Sequence, residues 1–511
     1  MQRRICIVGL DGVGINNLSS LLNSVLNYLA GITNKSYLSK YVSIPPYTPV
    51  AWTDILSGVN PAKHGIFGFK SVQKRNGTFI GVRTNTALNV MYPRIFEMFA
   101  INNLKSIVIN VPLTYPPDAI IKHRHMIIVS DWSSPRQFIY PLKYEIKYKD
   151  WLVDPPFDWS SVDNKRDYAD AITLYLSKRL EIYLDFLEER DFNLFVIIFS
   201  EPDWLMHAIP EIVLGHDINL VYKPFSLIDK FIKKATQICD LTVIVSDHGF
   251  EIARTALSIN GILLEKGLTK IKYNINLNAL FKSFLRVHTL GDTFSSLNLS
   301  NNSTFNLTPK LFNIIVRLYN KLKILPFIKL KKLLPISYEL DYLNSKVIMP
   351  EVISWSIYTL KGYEKVTLNI LRNSKLSKYI RNIIYTRKLF RGPYLNKGPN
   401  LIVIPEKSVE FTFFPHSEPL HVFMGHHEPY ALMMLYGDQV LPTRRQEINE
   451  INIHDIVPTL LAYSGLPIPN DTDGKVIENI FTIGVYNRTK KRLNYSQSFR
   501  ILRKLQRLKF R

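Results

Sequence analysis

Short apolar runs alternate with longer amphipathic segments along the first half of the chain. Short runs rich in apolar and β-branched residues are typical of parallel strands that are buried on both faces of a sheet. Apolar residues that recur with the period of a helix predict helices at Leu18–Leu29, Asp167–Arg190 and Lys223–Asp240. This alternation predicts an α/β fold, with a doubly wound, mostly parallel sheet that carries helices on both faces. The predicted strands are Ile5–Leu10, Ser106–Val111, Leu194–Phe199 and Leu241–Val245.

The pattern changes near residue 270 and returns near residue 400. Residues 270–345 are rich in Asn, Ser, Leu and Lys, and the block 311–334 is both apolar and basic. Later apolar runs predict strands at Phe411–Phe414 and Ala431–Leu435 and a core helix at Ile453–Gly465. We therefore expect an α/β core in two parts, an insertion or cap between them and a basic tail. These regions are 1–269 and 396–486 for the core, 270–395 for the cap, and 487–511 for the tail.

A Thr-Pro step opens a short helical segment in the first part of the core. Thr48 precedes Pro49, and both residue types are favoured where a helix begins, so the pattern predicts a helix from Pro49 to Ser57 that Gly58 ends. Free N–H groups at a helix N-terminus favour an anion. A hydroxyl at Thr48 could therefore attack phosphorus while backbone amides hold the phosphate oxygens. The alternative is that Thr48 only caps the helix.

Aspartate and histidine recur where strands are predicted to end. Carboxylates and imidazoles together suit Zn²⁺ and similar divalent ions. One Asp-His pair is more often an ordinary surface pair than a metal site. Their recurrence at the carboxyl ends of predicted parallel strands, where ligands of open α/β sheets gather, favours a metal centre. The residues are Asp11, the pair Asp203 and His207 in the spacing D-x-x-x-H, the pair Asp247 and His248, and the histidines of Gly425-His426-His427-Glu428-Pro429.

These motifs, in this order, resemble the alkaline phosphatase superfamily and specifically its type I phosphodiesterase/nucleotide pyrophosphatase branch. The resemblance covers roughly residues 1–265 and 395–480, and an ordered set of this kind is far more specific than any single motif. The matching text is GLDG at 9–12, TPVAWTDILSGVNPAKHGIF at 48–67, NVPLTYPP at 110–117, EPDWLMH at 201–207, SDHGF at 246–250, GHHEP at 425–429 and IHDIVPTLLAYSGLPIPNDTDG at 453–474.

The resemblance implies a phosphodiesterase with two divalent metal ions, with Zn²⁺ expected and Mn²⁺ or Fe²⁺ as alternatives. It implies that Thr48 is the nucleophile and that a phospho-Thr48 intermediate forms and is then hydrolysed. Two cations can clamp the attacking and leaving oxygens of such a displacement, which agrees with that expectation. By position, the ligands would be Asp203, His207 and His427 for one ion, and Asp11, Asp247, His248 and the Thr48 oxygen for the other.

One feature departs from the branch. Nucleotide pyrophosphatases carry a phosphate-binding Asn shortly after the HGI motif, where this chain has Phe67-Gly68-Phe69-Lys70. Lys70 and Asn110 are the residues that could replace the missing contact. Of the adjacent histidines 426 and 427, the G-x-H-x-P frame selects His427 as the ligand. We expect His64 of the HGI motif to shape the turn.

Several activities stay open at this stage. A phosphate ester, including a nucleotide, is the expected substrate, and a phosphomonoesterase, a phosphonate hydrolase or a phosphoglycerate mutase-like enzyme are alternatives within the superfamily. Sulfatases use a Cys or Ser that is converted to an aldehyde, so the Thr48-Pro49 step argues against a sulfatase. From another class, the chain could be an inactive basic protein that binds membranes or nucleic acid. The filled metal and nucleophile positions argue against that alternative.

The net charge of +22 and a pI near 9.6 favour anionic partners. The last 25 residues contain ten Lys or Arg and no acid, with Phe499, Leu502, Leu505 and Leu508 three residues apart. On a helix, this stripe could lie on an anionic membrane surface, dock on the core of the protein, or accompany nucleic-acid binding. The chain shows no signal peptide and no apolar run of spanning length, so a cytoplasmic protein, membrane-peripheral at most, is the expectation.

Overall fold

The strands of the computed structural model include those predicted in the first half of the chain. The structure describes residues 3–22, 24–121, 123–156, 164–275, 336–413, 415–443, 448–482 and 492–509. The apolar, basic block 311–334 lies outside these residues. The strands, in chain order, are β1 Ile5–Leu10, β2 Tyr37–Val42, β3 Lys70–Arg75, β4 Thr78–Thr84, β5 Ser106–Ile109, β6 Met126–Val129, β7 Ile139–Tyr140, β8 Leu194–Phe199, β9 Leu241–Val245, β10 Gly249–Leu257, β11 Ile271–Ile275, β12 Ile336–Leu340, β13 Val347–Ile348, β14 Ser356–Thr359, β15 Ile380–Tyr385, β16 Leu401–Pro405, β17 Val409–Phe411, β18 Leu420–Glu428, β19 Tyr430–Tyr436, β20 Asn449–Glu450, β21 Ile468–Pro469 and β22 Arg492–Leu493.

Most of the helices connect strands of the main sheet. The α-helices in the described residues are α1 Ile15–Leu22, α2 Asn27–Thr33, α3 Thr48–Ser57, α4 Pro61–His64, α5 Ile95–Ile101, α6 Leu142–Lys147, α7 Lys165–Glu188, α8 Glu201–Ala208, α9 Ile218–Ile238, α10 Ile259–Glu265, α11 Glu364–Arg372, α12 Thr386–Leu389, α13 Ile456–Tyr463 and α14 Tyr495–Lys509.

The main sheet has nine strands in the order β20-β2-β19-β9-β1-β8-β5-β6-β7. The five strands from β9 to β6 are parallel to one another, whereas β19 and β7 pair antiparallel with their neighbours. The order of the central strands does not follow the chain, because the connecting helices cross over the sheet. The predicted doubly wound, mostly parallel sheet is therefore confirmed.

Helices cover both faces of this sheet. Side chains of a strand point alternately to opposite faces, and β1 shows the consequence. Ile5 and Ile7 belong to the apolar core that includes Trp52 of α3, while Cys6 and Val8 belong to the core on the opposite face. Both cores are formed mainly by aliphatic and aromatic residues with little exposed surface. The sheet is thus buried on both sides, as its uninterrupted apolar strands require.

A smaller four-stranded sheet, β13-β14-β16-β15, has an apolar core of its own. That core extends from Leu257 and the residues of α10 to Phe411 of β17. The strands β17, β10 and β18 form a three-stranded sheet, in which β10 and β18 are antiparallel. Part of the predicted 270–395 insertion therefore contributes strands and helices, and the boundaries of the four predicted regions stay a prediction.

Several predicted elements differ in detail from the observed ones. The helix expected at Leu18–Leu29 is two helices, α1 and α2, and the expected strand at Phe411–Phe414 ends at Phe411, with Phe414 outside the described residues. The helix expected at Ile453–Gly465 begins at Ile456, after a single 3₁₀ turn. In each case the hydrophobic pattern identified the element, and local turns set its ends.

The basic C-terminal helix α14 docks on the core through residues four apart. Tyr495, Phe499 and Arg503 are buried, and Arg503 donates to the carbonyl oxygen of Ala119 and lies 3.7 Å from the Glu97 carboxylate. The predicted stripe with a spacing of three is wrong as a docking face, because Leu502 and Leu505 are 43% and 59% exposed. Among the described residues, no helix has the length and apolar character needed to cross a bilayer.

Candidate active site

Helix α3 begins at Thr48 itself, so Thr48 is its first residue and Tyr47 precedes it. The prediction that the Thr48 side chain caps the helix is therefore wrong by one position, and the structure shows no side-chain capping bond at this end. The helix ends at Gly58 in a left-handed conformation, as expected. Thr53, one turn further on, donates its hydroxyl to the carbonyl oxygen of Pro49 at 2.6 Å. Within the described part of the chain, no hydrogen bond involves the Thr48 hydroxyl.

Residues around the start of α3 contact Asp11 and His427, which belong to the buried Asp-His cluster described below. Residues four apart share a helix face, and Trp52, four residues after Thr48, donates its indole N–H to Asp11 at 3.4 Å. The carbonyl oxygen of Pro46, two residues before Thr48, lies 2.8 Å from Nδ1 of His427. Thr48 is therefore flanked along the chain by residues that contact Asp11 and His427.

Asp11, Asp247 and His248 come together at the ends of two neighbouring strands. Asp11 follows β1, and Asp247 and His248 follow β9, which is paired with β1. Nε2 of His248 lies 3.2 Å from Oδ2 of Asp247 and 3.6 Å from Oδ1 of Asp11. One ligand atom from each of the three residues lies within 4.8 Å of the others.

Asp203, His207 and His427 form the second part of the cluster. Asp203 and His207 lie on α8, directly after β8, and His427 lies near the end of β18. Oδ1 of Asp203 is 3.1 Å from Nε2 of His427 and 3.7 Å from Nε2 of His207, and the two histidine nitrogens are 3.1 Å apart. The His248 ring stacks on the His427 ring at 3.7 Å, so His248 joins the two parts.

The donor atoms of the cluster fit divalent metal ions. The Nδ1 atoms of His248 and His427 face backbone carbonyl oxygens at 3.2 and 2.8 Å, which directs both Nε2 atoms to the cluster. Two ligands of a tetrahedral Zn²⁺ lie about 3.4 Å apart, close to the distances between these ligand atoms. Buried polar atoms normally have partners, yet the structure leaves several atoms of the cluster without a hydrogen bond. They are Asp11 Oδ1, Asp203 Oδ1, Asp247 Oδ2 and His248 Nε2.

Burial and mutual repulsion perturb the charges of the cluster. Burial raises the pKa of Asp11, and the charges of Asp247 and Asp203 raise it further. Burial also raises the pKa of Asp247 to about 7. For Asp203, burial raises the pKa, but His207 and His427 outweigh burial and lower the pKa to about 2. A divalent cation would stabilise all three carboxylates in their ionised form.

The two residues suggested for the missing phosphate contact have different surroundings. Asn110 is buried, and its amide donates to the Tyr183 hydroxyl at 2.9 Å and to the Ile198 carbonyl oxygen at 3.2 Å. Its Oδ1 accepts from Arg179 at 3.0 Å, so this amide is engaged within the protein, which argues against an oxyanion contact. Lys70 begins β3 and lies on the wall of a cavity.

Glu351 approaches the start of α3 from the distant part of the chain, and the sequence analysis missed it. One carboxylate oxygen accepts from the Tyr47 hydroxyl at 3.0 Å, and the other accepts from the backbone N–H of Lys70 at 3.1 Å. A side chain at Gly68 would meet this carboxylate at 2.1 Å, so Glu351 would have to move to admit one. Burial raises the pKa of Glu351 to about 7. No motif surrounds Glu351, and no sequence signal marks it.

Two further histidines of the motifs have structural partners. His64 accepts from the backbone N–H of Ile66 at 3.1 Å and its Nε2 lies 2.7 Å from Asp54, so it holds the turn after α4 as expected. His426 lies 3.1 Å from Glu251 and 3.0 Å from Glu410. Neighbouring residues of a strand point to opposite faces, so His426 faces away from the cluster that contains His427.

Asp and His gathered at the carboxyl ends of the strands of an α/β sheet form a candidate divalent-metal site. The family model of the type I phosphodiesterases / nucleotide pyrophosphatases matches residues 5–303, which is more than half of the chain. The chain belongs to this family, within the alkaline phosphatase superfamily, and is a phosphoryl-transferring hydrolase that acts on phosphate esters.

Solved structures with the same fold share little sequence with this chain. The alkaline phosphatase PafA superposes with a TM-score of 0.53 at 12% identity, covering 94% of this chain and 99% of that chain. Phosphonoacetate hydrolase from Sinorhizobium meliloti 1021 gives 0.52 at 12% identity, with coverages of 89% and 94%. Human ectonucleotide pyrophosphatase / phosphodiesterase 5 gives 0.51 at 12%, with 91% and 95%. A search of curated proteins found no match.

Proposed function

We propose that this chain is a phosphodiesterase that uses Thr48 as its nucleophile and requires two divalent metal ions. The observation that carries the proposal is the position of Thr48. The Thr48 hydroxyl makes no hydrogen bond within the described residues. Thr48 is also the first residue of α3, and Trp52, one turn further along this helix, contacts Asp11. A nucleophilic hydroxyl needs this combination of an open position and nearby metal ligands.

The ligand set supports two ions. Asp203, His207 and His427 would hold one ion, and Asp11, Asp247 and His248 would hold the other together with the Thr48 oxygen. His248 lies against His427, so the two sets are adjacent. Mixed carboxylate and imidazole ligands suit Zn²⁺ best, with Mn²⁺ and Fe²⁺ as alternatives.

The reaction that follows from this arrangement has two displacements at phosphorus. The backbone N–H of Thr48 at the start of α3 can donate to a phosphate oxygen. Pro49 has no N–H, and the N–H groups of Val50 and Ala51 already donate to the carbonyl oxygen of Tyr47. When bound, the metal ions lower the pKa of the attacking hydroxyl and neutralise charge on the phosphate and the leaving oxygen. Thr48 Oγ1 releases its proton to solvent and bonds to phosphorus, and the ester bond breaks with its electron pair on the leaving oxygen, which takes up a proton from solvent. Water then displaces Thr48 from the phospho-Thr48 intermediate, which restores the hydroxyl.

A phosphate diester, with a nucleotide ester as one candidate, is the substrate class that we infer from family membership. Phosphomonoesters, phosphonates and a phosphoglycerate mutase-like reaction are the alternatives, and a substrate panel on the purified protein separates them. An inactive binding protein is disfavoured, because the expected ligand residues and the nucleophile Thr48 are all present in the sequence. The ligand atoms that lack a hydrogen bond are also buried. We further propose that residues 270–395 act as a cap and that the tail contacts anionic membrane.

The test is turnover of bis-p-nitrophenyl phosphate by wild-type protein, Thr48→Ala and Thr53→Ala. Loss of the nucleophile should lower kcat by several orders of magnitude. Thr53 is a matched control on the same helix, because its hydroxyl is bound to Pro49 and its loss should change kcat far less. Turnover should also stop with EDTA and return with Zn²⁺. Near-normal turnover by Thr48→Ala, with loss in Thr53→Ala, would show that the nucleophile is misassigned.

A further inference from the structure

A cavity of about 580 Å³ lies beside the β3–β4 hairpin, and none of its lining residues belongs to the Asp-His cluster. Its volume is in the range of small-molecule sites. Its walls are formed by the turn after α4, the β3–β4 hairpin, the segment 85–89 that follows the hairpin, Tyr358 of β14, and residues 396 and 397 after α12. The lining residues most relevant to its chemistry are Lys70, Lys74, Arg83, Lys397, Phe67 and Tyr358.

The lining of this cavity is strongly basic. Four of its sixteen lining residues are cationic, namely Lys70, Lys74, Arg83 and Lys397, and none is acidic. The Glu351 carboxylate accepts from the backbone N–H of Lys70 but is not part of the lining. Like charges around one space repel, and an anion that enters the space relieves the repulsion.

Three of the four cationic side chains, those other than Lys397, are carried by the β3–β4 hairpin. The strand register pairs Lys70 with Thr84 and Ser71 with Arg83, and adjacent rungs point to opposite faces, so Lys70 and Arg83 line the cavity from opposite faces of the hairpin. The ammonium group of Lys74 donates to the Thr359 carbonyl oxygen at 3.1 Å and lies over the Phe79 ring. Phe79 packs in a small apolar cluster with Ile348 and Tyr358, which anchors the hairpin to β13 and β14.

Hydrogen bonds through Glu351 connect the wall of the cavity to the residue before the proposed nucleophile. Lys70 forms part of its wall, and the backbone N–H of Lys70 donates to Glu351. The other oxygen of the same carboxylate accepts from the hydroxyl of Tyr47, the residue before Thr48. The Glu351 carboxylate therefore links the residue before Thr48 to the first residue of the hairpin.

We propose that this cavity binds a second phosphate group, distinct from the phosphate attacked by Thr48. The chemical class is a phosphomonoester or a free inorganic phosphate chain, because four cations and an apolar wall match several negative charges on a small ligand. The group belongs either to the diester substrate, which rests on the proposed function, or to a free anion that binds independently of it.

The first experiment measures binding of inorganic triphosphate to the full chain by calorimetry, before and after removal of metal with EDTA and dialysis. Binding should survive metal removal and weaken at least tenfold in the double variant Arg83→Gln, Lys397→Gln. Arg75→Gln is the matched control, because Arg75 lies on the same hairpin outside the cavity lining, and it should change affinity less than twofold. Binding that disappears with the metal and ignores the double variant would overturn the proposal.

The second experiment identifies the source of the phosphate. It compares KM for thymidine 3′-p-nitrophenyl phosphate with KM for the same diester carrying a 5′-phosphate. If the cavity holds a substrate phosphate, the double variant changes the ratio of the two KM values about tenfold and Arg75→Gln does not. If the cavity holds a free anion, the double variant leaves the ratio of the two KM values unchanged and is no longer inhibited by triphosphate. If the wild-type protein turns over neither diester, only the proposed function is refuted, because the binding measurement does not depend on catalysis.

Discussion

At the scale of single residues, the ionisation of Glu351 should be visible in the pH dependence of stability. Burial raises its pKa in the folded protein to about 7, from an ordinary value of 4.5. The folded state therefore holds this proton more tightly than the unfolded state does. Its stabilising contribution is complete below pH 4.5, falls as the pH rises, and is lost once the pH has passed about 7.

Glu351→Gln keeps a neutral, hydrogen-bonding side chain and should remove this pH dependence. We expect the free energy of unfolding of the variant, relative to wild type, to rise by about 3 kcal/mol between pH 4.5 and pH 7.5. Urea unfolding at several pH values measures it. A difference between the two proteins that does not vary with pH would show that folding does not raise the pKa of Glu351.

The residues of the site differ in how far sequence could reveal them. Asp11, Asp247 and the Asp203–His207 pair each follow a strand of apolar residues, and parallel strands end at one edge, so their meeting could be predicted locally. Glu351 could not be predicted, because it reaches Tyr47 across a separation of 304 residues and no motif surrounds it. The hydrogen bonds of Asn110 with Arg179 and Tyr183 could not be predicted either, because no sequence pattern connects these residues.

At the scale of elements, the two faces of α14 should have separate effects. Its inner face buries Arg503, which donates to the carbonyl oxygen of Ala119. Its outer face exposes Ile501, Leu502 and Leu505 beside cationic residues, a combination that suits an anionic membrane surface. A stripe with a spacing of three or of four is compatible with a helix, so sequence alone could not decide which residues face the core.

Arg503→Met should lower the free energy of unfolding by roughly 1–3 kcal/mol, because it removes the donor from buried acceptors. Arg500→Met is the control, since Arg500 is partly exposed and lies 4.0 Å from Asp471. Conversely, the triple change of Ile501, Leu502 and Leu505 to Ser should reduce sedimentation with anionic vesicles at low salt and leave stability nearly constant. If the wild-type chain stays in the supernatant with such vesicles, the outer face does not bind membrane.

At the scale of the whole molecule, the metal ions should connect parts of the chain that are far apart in sequence. The proposed ligands come from β1, α8, the end of β9, and β18. Metal analysis should find two ions per chain, and their removal should lower Tm because they bind only the folded site. Asp203→Asn and Asp247→Asn should each lose about one ion.

Asp229→Asn is the control for this measurement. Asp229 is also a buried carboxylate, but it accepts from the backbone N–H groups of Tyr28 and Leu29, so its loss should not change metal content. One ion per wild-type chain, lost in both ligand variants, would contradict two separate sites.

Strand β19 enters the sheet late in synthesis, because the ribosome makes it after every main-sheet strand except β20. It pairs with β2 on one side and with β9 on the other, so until then both strands keep an uncovered edge. Exposed apolar edges favour aggregation of a nascent chain. Because His427 is made just before this strand, an incomplete chain would lack part of its metal site. We therefore expect the chain to hydrolyse substrate only after β19 has paired with β2 and β9. Until then, we expect the nascent chain to need chaperones.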